Sequence, residues 1–175
     1  MKPILKALLY AFIFIMMFLF FLPKVELYYT LEKELEKQKI VLSDERIEDS
    51  GFSLHISDAK LYWNSVFGGQ IEKIKLSTFL LHNSLSFENA KLNHALSSFL
   101  PGKIEYLNVR YSIINPIKVV ISGNGDIGEI KGYINPFVKE IKIELNPPAN
   151  MRSKYGSLLR KFKNVEGVLV YESRY

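Results

Sequence analysis

Hydrophobic and polar residues follow three successive regimes along this chain. From Ala7 to Leu22, sixteen residues carry no charge and no strongly polar group. From Val25 to Lys39, leucines recur every four positions among charges. From Ile40 onward, apolar and polar residues alternate in short runs broken by Gly, Pro and Asn.

The first regime predicts a membrane span. With Ile4 and Leu5 it reaches nineteen positions interrupted by Lys6 alone. A helix rising about 1.5 Å per residue would cover most of a ~30 Å hydrocarbon core. Lys2 and Lys6 mark the amino-terminal end, where a lysine stem snorkels to the headgroups. Tyr10 lies one turn inside, with its hydroxyl in reach of the same interface. Phe12, Phe14, Phe18, Phe20, Phe21 and Leu22 make the helix apolar all round, unlike the one-sided stripe of a soluble core helix. A cleaved signal peptide would need small residues at alternate positions after the apolar run. The chain offers Phe20-Phe21-Leu22-Pro23-Lys24, so residues 1–23 are expected to be an uncleaved signal anchor. Two lysines without an acid precede the span, whereas Lys24 is offset by Glu26. The positive-inside rule then places the amino terminus in the cytoplasm and the remainder outside it, in the periplasm of a bacterium with two membranes.

The second regime predicts a juxtamembrane helix over 24–40. Leu27, Leu31 and Leu35 form a stripe with Tyr28 beside them. The stripe could pack on the chain's own domain, the commoner arrangement for so short a repeat, or meet a partner protein.

The third regime predicts antiparallel sheet over 41–175. Ser53-Leu54-His55-Ile56-Ser57, Lys73-Ile74-Lys75-Leu76-Ser77 and Ile141-Lys142-Ile143-Glu144-Leu145 alternate most cleanly. Further strands are expected at 85–87, 107–111, 117–121 and 168–171, with turns at Pro101-Gly102 and Asn115-Pro116. A short helical turn is expected at 94–99. A longer helix is expected at 150–163, capped by Asn150, with Tyr155, Leu158, Leu159 and Phe162 on one face and Gly156 weakening it. The fold class is therefore a membrane-anchored α+β protein, mainly antiparallel β. It combines a transmembrane helix, a juxtamembrane helix, a curved sheet of about seven to nine short strands, and one carboxy-terminal helix on or near the sheet.

Composition narrows the function. The chain has 175 residues, room for one domain beyond the anchor. It has no cysteine, which excludes disulfides, thiolate metal sites and a cysteine nucleophile. Lys and Arg number 23 against 18 Asp and Glu, closely interspersed, so no nucleic-acid face is expected.

Gly123-Asn124-Gly125-Asp126-Ile127-Gly128 matches a dinucleotide-binding pattern, but such a loop must open a helix. The residues that follow, up to Pro136, alternate like a strand, so a hairpin turning at Asn124-Gly125 is expected instead. His55, His82 and His94 lack ligand spacing. The acids Asp44, Glu45, Glu48 and Asp49 lack the glycine of a calcium loop. No serine sits in a nucleophile elbow. No catalytic residue, cofactor, metal or small-molecule substrate is expected. Trp63, the only tryptophan, could be a core anchor, the commoner case, or an interfacial ring, and it counts with the leucine stripe as a possible partner contact.

The order of these features resembles a known family. An apolar helix ending in Leu22-Pro23 precedes the Leu27, Leu31, Leu35 helix. Then comes Ser53-Leu54-His55-Ile56-Ser57-Asp58-Ala59-Lys60-Leu61-Tyr62-Trp63 and alternating strands with glycine turns. This resembles the type II secretion system protein N family, itself similar to AsmA-like envelope proteins. The resemblance implies a curved sheet with an apolar inner face and no catalytic residues. It implies a non-enzymatic, inner-membrane-anchored component of a type II secretion, type IV pilus or DNA-uptake assembly, with other envelope proteins as partners. The alternative is lipid binding or transfer on the apolar sheet face.

Overall fold

The computed structural model describes residues 3–79, 81–93, 101–148, 151 and 156–174. Helix α1 (Pro3–Phe20) buries none of its residues and is long and apolar enough to cross a membrane. Pro23, which cannot extend a helix because it lacks an N–H, separates α1 from helix α2 (Lys24–Lys37).

Eleven strands follow, all paired antiparallel in one sheet. They are β1 (Ile40–Ser43), β2 (Arg46–Asp49), β3 (Ser53–Trp63), β4 (Val66–Phe79), β5 (His82–Leu92), β6 (Lys103–Ser112), β7 (Asn115–Gly125), β8 (Gly128–Asn135), β9 (Glu140–Asn146), β10 (Lys163–Val165) and β11 (Val168–Arg174). A single helical turn, α3 (Gly156–Leu159), lies before β10. From β3 to β9 the sheet is a plain meander, continued by β11 and then β10. On its other side β3 pairs with both β1 and β2.

The register sorts the side chains into two unlike faces. One row runs Leu54, Leu76, Leu85, Val109, Ile121, Gly132, Ile143, Tyr171. The next runs Ile56, Ile74, Phe87, Leu107, Gly123, Ile130, Leu145, Leu169. The opposite face carries His55, Lys75, Ser86, Asn108, Ser122, Lys131 and Glu144 in a matching row. Period-two alternation therefore holds across the whole sheet. It slips by one residue where Asp58 and Asn89 take left-handed backbone (φ 61° and 52°). That slip returns Ala59, Ile71 and Ala90 to the apolar face, where they are buried.

Two elements cover parts of the apolar face. Helix α2 lies on β1, β2 and β3, and Tyr28 joins Leu42, Leu54, Ile56, Ile71 and Ile74 in one core cluster. At the far edge, Ile127, Leu145, Leu159 and Leu169 form a second cluster with Met151 and Phe162 against it.

Several expectations need correction. The sheet has eleven strands, not seven to nine, because 40–49 supplies two short strands and 163–165 another. The helix over 150–163 is not shown as such: among its described residues Met151 and Gly156–Leu159 are helical, and Lys163 is already in β10, paired with Val170. There Asn164 Oδ1 accepts the Gly167 N–H (3.0 Å), and Glu166 and Gly167 take positive φ, so a tight hairpin claims the predicted helix end. The proposed cap Asn150 and the turn at 94–99 lie outside the described residues. The glycine motif does form a hairpin, but it turns at Asp126-Ile127, two residues later than expected. Gly125 instead lies in β7, where a Cβ would collide with the Lys103 carbonyl oxygen.

Candidate functional site

Among the described residues, neither core cluster takes in the middle of the apolar face. Leu107, Val109, Val119, Ile121 and Ile134, on β6, β7 and β8, belong to neither core cluster and are partly exposed. They form a strip three strands wide, roughly 10–15 Å across at the usual strand spacing. Gly123, facing the same way, brings no side chain; a Cβ there would meet the Tyr106 carbonyl oxygen first and then Leu107. The five side chains are apolar and uncharged, and Tyr111, paired with Val119, borders them at one end.

The opposite face is charged and paired with itself. Lys131 meets Glu129 at 2.7 Å, and Lys142 lies 3.1 Å from Glu144 and 3.5 Å from Glu172. Hydrogen bonding to these carboxylates raises the pKa of both lysines. The Tyr133 hydroxyl donates to Glu140 at 2.7 Å, which pushes its pKa up. Toward one end of this face a cavity of about 250 Å³ is lined by His82, Ser84, Arg110, Asn115 and Lys118. The Lys118 ammonium lies 4.5 Å from the Tyr133 ring centre.

A third feature is the junction between α1 and the sheet. Lys24 is fully buried (0%). Its Nζ donates to the Leu22 carbonyl (3.0 Å) and the Phe20 carbonyl (3.3 Å), and lies 3.6 Å from Asp49 Oδ1. The cation thus sits at the carbonyl end of α1, where a helix dipole favours positive charge. Asp49 Oδ1 also accepts the Gly51 N–H at 2.9 Å. The Phe20 ring occupies the place a Cβ on Gly51 would take. On α2, the Tyr28 hydroxyl donates to Glu45 Oε1 at 3.1 Å. Burial, then the Glu45 charge, pushes the Tyr28 pKa far up. Glu32 is raised as well, by burial and by the charges of Glu45 and Glu36.

The sequence-predicted residues fall as follows. Lys6, Tyr10, Phe12, Phe14, Phe18 and Phe20 lie on α1, with Phe21 and Leu22 just past its end; Lys2 is outside the described residues. Of the leucine stripe, only Leu35 packs against the core. Leu27 and Leu31 are exposed, and the buried side of α2 is Lys24 and Tyr28, with Val25 and Leu35 packed alongside. Trp63 is 41% exposed at the end of β3, so it is not a core anchor. It also lies at the opposite end of the strand from the α1 junction. His55 and His82 lie on β3 and β5. Among the described residues no group of three His, Asp or Glu side chains could hold a metal ion. The sequence reading used Lys24 only for charge bias and Glu45 only as one of several clustered acids, because the Lys24–Asp49 and Tyr28–Glu45 contacts join segments distant in the chain.

No protein-family model, no curated protein and no solved structure matches the chain.

Proposed function

We propose that this is a non-enzymatic, single-pass protein of the bacterial inner membrane, and that its periplasmic sheet binds lipid acyl chains. The observation that carries this is the partly exposed strip of Leu107, Val109, Val119, Ile121 and Ile134 between two covered ends of one continuous apolar face. Apolar surface gains free energy on leaving water in proportion to its area, and a lipid chain next to an anchored protein is the nearest apolar partner. Helix α1 supplies that proximity, and the apolar, uncharged side chains of the strip suit a hydrocarbon ligand rather than a reacting one. The test is lipid retention. The full chain, purified in mild detergent, is expected to carry phospholipid detectable by native mass spectrometry. Ile121→Glu is expected to lose it, while Ser122→Glu on the opposite face keeps it. A wild-type protein free of lipid, or equal loss in both variants, rules the proposal out.

A second reading, a structural component of a secretion, pilus or DNA-uptake assembly, is favoured by exposed apolar side chains that no lipid strip needs. These are Leu27 and Leu31 on α2, and Trp63, Val66 and Phe67 around the β3–β4 turn. Affinity capture of the full chain from detergent extracts tests it. Recovery of secretion or pilus components, lost in Leu27→Ser/Leu31→Ser, supports it; their absence counts against it.

A further inference from the structure

The meander sends its hairpins alternately to two ends of the sheet. The turns between β2 and β3, β4 and β5, β6 and β7, and β8 and β9 share one end. Helix α1 arrives at that same end. The Phe20 ring stands edge-on to Phe52 at 5.5 Å, and Phe52 to Phe79 at 5.7 Å.

The hairpin tips at this end are unusually apolar. Phe79 and Leu81 flank the first, Ile113 and Ile114 form the second with Ile117 behind them, and Phe137 and Val138 lie in the third. All are exposed, Ile114 at 71% and Phe137 at 72%. Turns ordinarily carry Gly, Asn, Asp, Ser or Pro, whose side chains and backbone suit the bend. Here flanking polar residues take over that work. Ser112 Oγ accepts the Ile114 N–H at 3.3 Å, and Asn135 Oδ1 accepts the N–H groups of Phe137 (3.1 Å) and Val138 (3.3 Å). The tips are thereby left to present large apolar side chains. A single exposed apolar residue needs no explanation, but a row on three successive hairpins does. Strands about 4.8 Å apart put neighbouring tips roughly 10 Å from each other, in line with the end of α1.

Charge behind the tips points the same way. Arg110 and Lys118 line the 250 Å³ groove at this end of the polar face. Lys139 is exposed beside Val138. Apolar side chains ahead of cations are the arrangement of a surface that sinks into a bilayer and meets its phosphates. We infer that this edge of the sheet rests in the interface of the bilayer that α1 spans, with the hairpin tips at Phe79/Leu81, Ile113/Ile114 and Phe137/Val138 immersed and the basic groove against lipid headgroups. The inference rests on the reading of α1 as a span and is independent of whether the apolar strip holds lipid.

The absence of cysteine permits a clean test. Single-cysteine full chains (Phe14→Cys, Ile114→Cys, Phe137→Cys and Val66→Cys) are labelled with an environment-sensitive fluorophore. They are reconstituted in phosphatidylcholine–phosphatidylglycerol vesicles, with and without chain-spin-labelled lipid. Position 66 is an exposed apolar tip at the far end of the sheet, so it controls for apolarity alone. Blue-shifted, quenched emission is expected at 14, 114 and 137, and water-like, unquenched emission at 66. Quenching at 14 with water-like emission at both 114 and 137 overturns the inference and leaves the span standing. Equal quenching at 66 also overturns it, since the sheet would then lie flat. No quenching at 14 overturns the span itself, and the inference with it.

Discussion

Leu54 and Leu107 face the same side of the same sheet, yet truncating them should have unequal consequences. Leu54 lies under α2 and is 0% exposed. Leu107 lies in the middle, outside both core clusters of the described residues, and is partly exposed. Burying a leucine side chain is worth about 1.5–3 kcal/mol, and a closed cavity adds to the loss when it is removed. Leu54→Ala should therefore cost about 3 kcal/mol, within the ~2–5 kcal/mol seen for such core truncations. At Leu107 only part of the side chain has left water, and the space left behind opens to solvent rather than becoming a void. Leu107→Ala should cost about 1 kcal/mol. For a domain of this size the difference is on the order of 10 °C against a few degrees in melting temperature. Thermal unfolding of the detergent-solubilised full chain, followed by far-ultraviolet circular dichroism after delipidation, reads both. Equal losses would refute the claim that the middle of the face lies outside the packed clusters.

Three further outcomes follow from particular contacts. Tyr28→Phe removes the hydrogen bond to Glu45 and should cost about 1–2 kcal/mol. Because the folded state holds the Tyr28 proton more tightly than an ordinary tyrosine does, its contribution is complete below about pH 10 and is lost as pH rises above it; urea titrations at rising pH should show a decline that the phenylalanine variant lacks. Glu32 is also raised, so its ionised form opposes folding, a penalty absent below the ordinary glutamate pKa and felt as pH rises through the higher folded value. Glu32→Gln should stabilise the neutral protein by about 0.2–0.5 kcal/mol, the scale of a like-charge pair four residues apart, and the gain should vanish in acid. Gly128 has φ 83°, and a Cβ there would strike the Asn146 carbonyl oxygen; Gly128→Ala should cost about 1–3 kcal/mol in chemical denaturation, and an unchanged midpoint would contradict the turn at Asp126-Ile127.

Much of the fold was legible because its two periods are clean. Every alternating run read from the sequence lies in a strand, from Ser53-Leu54-His55-Ile56-Ser57 in β3 to Val168-Leu169-Val170-Tyr171 in β11. Strand lengths were not legible. β4 runs on through Gly68 and Gly69, with Gly69 paired to Leu61 on one side and Leu92 on the other. The slip at Asp58 and Asn89 was hidden too: it depends on left-handed backbone at two polar residues whose register neighbours coincide. Leu27, Leu31 and Leu35 marked α2 correctly, but which side it buries was decided by Tyr28 reaching Glu45, seventeen residues away. The carboxy-terminal end of the helix expected over 150–163 was misplaced because local periodicity competed with pairing of Lys163-Asn164-Val165 to β11. For the candidate surfaces, the apolar pairs at 113–114 and 137–138 were a visible signal. Their position beside α1 required the topology.

Site-resolved photocrosslinking tests the central proposal most directly. A photoreactive phenylalanine is placed at Val109 on the apolar face, or at Ser122 on the opposite face, and the full chain is irradiated in its native membrane. The expected result is a phospholipid adduct at 109 and none at 122, identified by mass. Adducts at neither position, or equally at both, would contradict a lipid-binding apolar strip.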